Sequence, residues 1–198
     1  MKAPFTQLVL ASGNEGKCRE FGQLLAPLNI NIVPQTIFNI PEIDEPHQTF
    51  IENALVKARH ASFHARLPAL ADDSGLCVNA LGGAPGIKSA RYAGEPRSDT
   101  RNNALLMRQL LEHDDKSAYY YCALVLIRDA NDPAPLIGCG AWFGEITVTP
   151  CGHNGFGYDP YFLLPTGVTV AELSPEEKNA HSHRGIATRQ LIEQLRSL

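Results

Sequence analysis

Long apolar runs are missing from this chain: none approaches the ~20 consecutive residues that a membrane-spanning helix needs, so no contact with a membrane is expected. A surplus of positive charge is missing too. The 198 residues carry 17 Lys and Arg against 21 Asp and Glu, a formal net charge of -4, with a pI near 6.0. Such a balance argues against a broad electrostatic grip on nucleic acid, and any anionic ligand must be held by a local cluster. The five cysteines (Cys18, Cys77, Cys122, Cys139 and Cys151) contain no C-x-x-C pair, and their odd number suits neither a disulfide frame nor a zinc site. They read as reduced packing residues in a cytoplasmic protein. Met1 to Ser12 offers one early cation and a short apolar run, which does not match a secretory leader. No internal repeat or low-complexity segment is present. What remains is a chain with 44% hydrophobic residues, long enough for one well-buried domain of two lobes spanning residues 1–198.

The pattern along the chain mixes strands and helices. Gln7 to Ala11 reads as a buried strand, Ser12-Gly13-Asn14-Glu15-Gly16 as a turn and Lys17 to about Leu25 as a helix. Asn29 to Pro34 suggests a second strand, and Ile40 to Gln48 an acidic loop. Thr49 with Glu52 has the spacing of a capping box for a helix over Phe50 to Arg66, with Asn53, Lys57 and His60 or His64 on its polar edge. Asp99 to Glu112 reads as a helix introduced by Ser98 or Asp99. Tyr119 to Arg128 and Pro135 to Val148 read as a long hairpin, Gly152 to Pro160 as a glycine-rich turn, and Gly185 to Leu198 as a closing helix. This order favours an α/β sheet with antiparallel members over a purely parallel one.

Between these elements lie the groups with chemical potential. Ala71-Asp72-Asp73-Ser74-Gly75-Leu76 follows the apolar run Leu67 to Leu70 and reads either as a catalytic turn at a strand end or as a solvated turn. Successive strand side chains face opposite ways, so the two aspartates have different jobs if the strand continues: one an anchor, the other a metal ligand or general base. Ser12-Gly13-Asn14-Glu15-Gly16-Lys17 places backbone N–H groups and a lysine at a helix start, a plausible anion site that lacks the Walker spacing. Asp44 and Glu45 with Asp72 and Asp73 offer hard oxygens suited to Mg²⁺. Gly155-Phe156-Gly157-Tyr158-Asp159-Pro160 sets two aromatics in a glycine turn, able to stack on a base or to plug a core. Lys178 and Ser182-His183-Arg184 put cations where a helix begins, an arrangement that a bound anion or electron-rich base would relieve.

Taken in order, these segments are similar to the inosine/xanthosine triphosphate pyrophosphatase family. The resemblance runs from about Gln7 to Leu195 and adds Thr49 to Ala54 with Lys57-Ala58, Pro85-Gly86-Ile87 with Ser89 to Tyr92, and Glu177-Lys178-Asn179 to the motifs above. It implies an elongated, two-lobed α/β fold around a long mixed β-sheet, an ITPase-like or Maf-like architecture with a substrate cleft between the lobes, and a homodimer. It further implies Mg²⁺-dependent hydrolysis of non-standard purine nucleoside triphosphates (ITP, dITP and XTP) to the monophosphate and pyrophosphate. On matching positions, Ser12, Gly13, Asn14, Glu15, Gly16 and Lys17 would hold the phosphates, with Lys57 adding positive charge. Asp73 would be the general base and a metal ligand, with Glu45 or Asp44 as a second metal contact, and Ser74 would touch substrate. Phe156, Gly157, Tyr158, Asp159, Lys178, His183 and Arg184 would form the nucleoside pocket, Arg184 facing the purine 6-oxo edge. Lys88 and His181 depart from the family's usual Tyr and aliphatic residue. A non-catalytic nucleotide sensor is the rival reading, but it has little use for extra carboxylates beside a polyanion. An aspartyl phosphatase would require Asp-x-Asp, which this stretch does not offer.

Overall fold

The computed structural model describes residues 5–197, so the start of the Met1 to Ser12 segment and Leu198 lie outside the described residues. Six strands form one mixed sheet: β1 (Gln7–Leu10), β2 (Asn31–Pro34), β3 (Ala69–Val78), β4 (Ser117–Ile127), β5 (Leu136–Ile146) and β6 (Phe162–Leu163), in the order β2-β1-β3-β4-β5-β6. β1 runs parallel to β2 and β3, and β6 antiparallel to β5. The helices are α1 (Glu15–Leu25), α2 (Phe50–Ala65), α3 (Asp99–Leu110), α4 (Pro175–His181) and α5 (His183–Arg196). The chain folds into two compact units. One comprises the described residues up to Asp73, Cys122–Gly140 and those from Arg184 onward; the other comprises Ser74–Tyr121 and Ala141–His183.

In the first unit the period of two along each strand divides the apolar residues between two layers. Leu8 and Leu10, Leu70, and Cys122, Leu124 and Leu126 pack with Phe21 and Leu25 of α1 and Ala187 and Leu191 of α5. Val9, Ala69 and Ala71, and Val125 and Ile127 pack instead with Ala54, Ala58 and Ala61 of α2. Each leucine or phenylalanine in the first layer withdraws a side chain worth about 1.5–3 kcal/mol from water. The alanines of α2 end at Cβ, which lets its backbone lie close to the strands.

Thr49 caps α2 as expected, its Oγ1 accepting the Glu52 N–H at 3.3 Å, but the return arm differs from a capping box. The Thr49 hydroxyl donates to Glu52 Oε2 at 2.6 Å, so the carboxylate takes a hydroxyl in place of the backbone donor. Asn53 does not lie on a polar edge. It is buried, accepting the His47 N–H at 3.0 Å and donating to the His47 carbonyl at 3.3 Å, which fastens the acidic loop to α2.

β3 overturns the reading of Asp72 to Gly75 as a turn, because the strand continues unbroken through them. Gly75 stands there for a close approach: a Cβ on it would lie 2.2 Å from the Gly86 carbonyl oxygen and 2.5 Å from Ser89 Oγ, a strand position that only glycine fits. In the second unit Leu76 and Val78 pack with Leu106 and Leu110 of α3, Tyr120, Ile146, Tyr158, Phe162 and Val170. Ser98 caps α3, its Oγ accepting the Arg101 N–H at 3.3 Å. α4 is an element that the sequence pattern did not separate from its neighbours. Ser174 and Glu177 form a full capping box at its start, with Pro175 at the first helical position, as that dipeptide spacing favours.

Candidate active site

Side-chain alternation along β3 sends the adjacent aspartates to opposite layers of the first unit. Asp72 shares parity with Leu70 and points to the α1 and α5 layer; Asp73 shares parity with Ala71 and points to α2. Asp72 is 1% exposed and ringed by donors. Lys17 Nζ donates to its Oδ1, Arg184 Nε to its Oδ2 at 2.9 Å, and Cys122 Sγ lies 3.2 Å from Oδ2. Arg184 Nη1 also donates to Glu20. Burial pushes the Asp72 pKa up, but Arg184 and Lys17 outweigh it and hold the carboxyl well below its usual range. The same carboxylate, after burial, lifts the Cys122 thiol far above its ordinary value. Asp72 is therefore an anchor, held in its charged form by Arg184 and Lys17, that ties α1 and α5 to the strand.

Asp73 has the opposite character. It is 4% exposed, with Lys57 Nζ donating to Oδ1 at 2.8 Å and the other oxygen, Oδ2, buried without a hydrogen-bond partner among the described residues. Burial raises its pKa above the usual aspartate value despite Lys57. Lys57 also donates to Glu45 Oε1 at 3.3 Å. Its own burial would lower its pKa, but Asp73 and Glu45 carry it above the ordinary lysine value. An ionisable oxygen kept dry and unpaired beside a fixed cation is what a base or hard-metal ligand requires, and structural carboxylates rarely forgo a bond. Of the two acidic candidates in the loop, Glu45 joins this cluster; Asp44 is exposed and does not.

Side chains of the β1–α1 turn take up two of its own N–H groups. Asn14 Oδ1 accepts the Lys17 N–H at 3.0 Å, and Ser12 Oγ accepts the Asn14 N–H at 3.1 Å. Gly13 is exposed and Gly16 half-buried. Glu15 offers only its backbone, since its side chain is 92% exposed and lies 3.7 Å from Arg19. Lys17 is committed to Asp72 and is only partly exposed. Ser74, half-buried, follows Asp73 on β3.

A second cluster belongs to the second unit. Asp159 Oδ2 accepts the Phe156 N–H at 2.9 Å and the Lys178 ammonium at 2.8 Å, while Tyr120 donates its hydroxyl to Oδ1 at 3.1 Å. Lys178 Nζ lies 4.7 Å from the centre of the Phe156 ring, a cation–π distance. His183 stacks on Tyr120 with ring centres 4.8 Å apart and planes 13° apart. Tyr158 is buried and donates to the Ser89 carbonyl at 2.8 Å, so it serves the core and not a stacking face; desolvation there drives its pKa far up. Phe156, half-buried, is the more accessible of the turn's two aromatics.

Arg184 lies in a buried cluster with Asp72 and Glu20, 2% exposed: a buried and a half-buried carboxylate answer its charge at the start of α5. Sequence reasoning also missed Glu20 and Tyr120. Glu20 lies three residues after Lys17 on α1, a spacing that puts both on one helical face, and that was the available signal; Tyr120 sits among Tyr119 and Tyr121 with none.

A family model described as the Ham1 family matches residues 8–194. A protein named dITP/XTP pyrophosphatase from Ralstonia nicotianae is 60% identical over 194 residues, covering 96% of this chain and 96% of that protein. One of the same name from Chromobacterium violaceum is 58% identical over 195 residues, covering 98% and 99%. The solved structure of a HAM1 protein from Coxiella burnetii is 48% identical, with a TM-score of 0.90 over 98% of this chain and 100% of that one.

Proposed function

Because the chain belongs to the Ham1 family, we propose that it is a nucleoside triphosphate pyrophosphatase that hydrolyses non-standard purine nucleoside triphosphates of the dITP and XTP type, ITP included, to the monophosphate and pyrophosphate. The relatives' names supply the substrate class. One observation carries the chemistry: Asp73 Oδ2, buried and without a hydrogen-bond partner among the described residues, beside Lys57.

In this reading a water oxygen forms a bond to the α-phosphorus as the bond from that phosphorus to the α–β bridging oxygen breaks. Pyrophosphate leaves with the bridging oxygen, and Asp73 Oδ2 receives the water's proton. Hydrolysis of a polyanion demands alignment and charge compensation more than covalent chemistry. Lys57 fixes the Asp73 carboxylate so that one oxygen faces the nucleophile. The turn from Ser12 to Lys17 offers its N–H groups and, after exchange of partners, the Lys17 ammonium to the phosphates. Phe156, Lys178 and His183 serve the purine, with Asp159 and Tyr120 holding Lys178 and the turn in place. Arg184 acts at one remove, through Asp72.

Mg²⁺ is part of the proposal. Among the described residues no group of three His, Cys, Asp or Glu side chains is arranged to hold a metal, but Asp73 and Glu45 fit an ion that takes one or two carboxylates and completes its shell with phosphate oxygens and water. Bound there, it would supply charge neutralisation to the phosphates. The proposal also includes a homodimer acting in the cytoplasm, without nucleic-acid binding; sedimentation of the purified chain tests the dimer. The decisive assay mixes the protein with Mg²⁺ and a panel of triphosphates and identifies the products. Monophosphate with pyrophosphate supports the reading; a diphosphate with inorganic phosphate, or no turnover, refutes it.

A further inference from the structure

The glycine-rich turn that carries Phe156 is held by α3. Gly157 donates its N–H to Asp99 Oδ2 at 2.8 Å, and its carbonyl accepts from Asn103 Nδ2 at 3.0 Å. Asp99 and Asn103 are four residues apart on α3, hence on one helical face, and between them they bind both polar groups of a single residue. That residue has φ +65°, a left-handed conformation that glycine adopts freely. Asn103 is buried, its bond to Gly157 is its only side-chain hydrogen bond among the described residues, and its Oδ1 is left buried without a partner. A buried amide that leaves its oxygen unsatisfied is costly to keep, and a small apolar residue would fill the space without that cost. The bond to Gly157 is what the amide achieves there.

We propose that Asp99 and Asn103 are positioning residues for the nucleobase end of the site: they fix the Gly157 peptide and through it the Phe156 ring, and so set affinity for the purine and not the rate of phosphate chemistry. The turn is already tied by Asp159, which accepts the Phe156 N–H and the Lys178 ammonium. The clamp on α3 adds two further ties at the next residue, Gly157. The proposal rests on the pyrophosphatase reading above.

The test compares the full chain with Asn103→Asp, Asp99→Ala and Asp99→Asn. Asn103→Asp keeps the shape and loses the donor to the Gly157 carbonyl; Asp99→Asn keeps an acceptor for the Gly157 N–H, whereas Asp99→Ala removes it. Each is measured for KM and kcat with dITP and for inhibition by free pyrophosphate, which engages only the phosphate end. Asn103→Asp and Asp99→Ala are expected to raise KM by about tenfold with kcat and the pyrophosphate Ki nearly unchanged, and Asp99→Asn to restore KM to near wild type. An unchanged KM in Asn103→Asp overturns the proposal, as does an equal shift in KM and pyrophosphate Ki, or equal KM rises in Asp99→Asn and Asp99→Ala. A wild-type protein that releases no pyrophosphate from dITP instead overturns the underlying reading, and the clamp's role with it.

Discussion

Replacing each of the two adjacent aspartates by asparagine should produce opposite defects. Asp72→Asn removes a carboxylate that Lys17 and Arg184 share, so that Arg184, 2% exposed, loses one of its ion-pair partners. Breaking a buried pair by deleting one member costs about 3–5 kcal/mol, because the charge left behind stays desolvated. For a chain of this size each kcal/mol moves Tm by about 2–4 °C, so the fall is roughly 6–20 °C. Asp73→Asn keeps an acceptor for Lys57 and relieves a buried carboxylate whose ionised form burial already disfavours. Its stability should stay within about 1 kcal/mol of wild type, while turnover drops by about 10²–10⁴-fold for loss of a general base. Urea unfolding at neutral pH and pyrophosphate release from dITP read the two effects separately. Equal losses of stability in both variants, or a stable Asp73→Asn that still releases pyrophosphate at most of the wild-type rate, would refute the division of labour.

The pH dependence should show the same split. The folded pKa of Asp72 lies below its unfolded value, so the stability it contributes is present above about pH 4 and is lost as pH falls through the lower folded value; acid titration of unfolding should therefore be shallower in Asp72→Asn. The raised pKa of Asp73 favours its neutral form, so the acid limb of kcat/KM should fall at a pH above the ordinary aspartate value of about 3.9, and a limb at or below that value would count against Asp73 as the base. Gly75→Ala should prevent stable folding or cost several kcal/mol, because its Cβ would meet the Gly86 carbonyl at 2.2 Å; a circular-dichroism melt matching wild type would contradict this. Chelation of divalent cations should abolish turnover reversibly while leaving the melting curve within a few degrees, and activity that persists in excess EDTA would remove Mg²⁺ from the proposal.

Much of the site was written in local sequence. The helix starts at Thr49 and Ser98 were legible because a capping side chain acts within three residues, and the order of motifs was legible as a family resemblance. The opposite duties of Asp72 and Asp73 also followed from sequence once a strand was assumed, because strand side chains alternate by covalent geometry alone. Alternation alone left open which aspartate received which duty; only the family resemblance pointed to Asp73 as the base. The assignment depended on α1 and α5 packing on one face of the first unit's strands and α2 on the other, so that Lys17 and Arg184 met Asp72 while Lys57 met Asp73. Arg184 is the sharpest case. At a helix start it reads as a cation waiting for an anion, but its partner comes from a residue 112 positions away, and burial makes that ion pair an anchor. Local rules fix where a side chain leaves the backbone; the packing of distant elements fixes what it finds there, and that decides whether a charge serves chemistry or the fold.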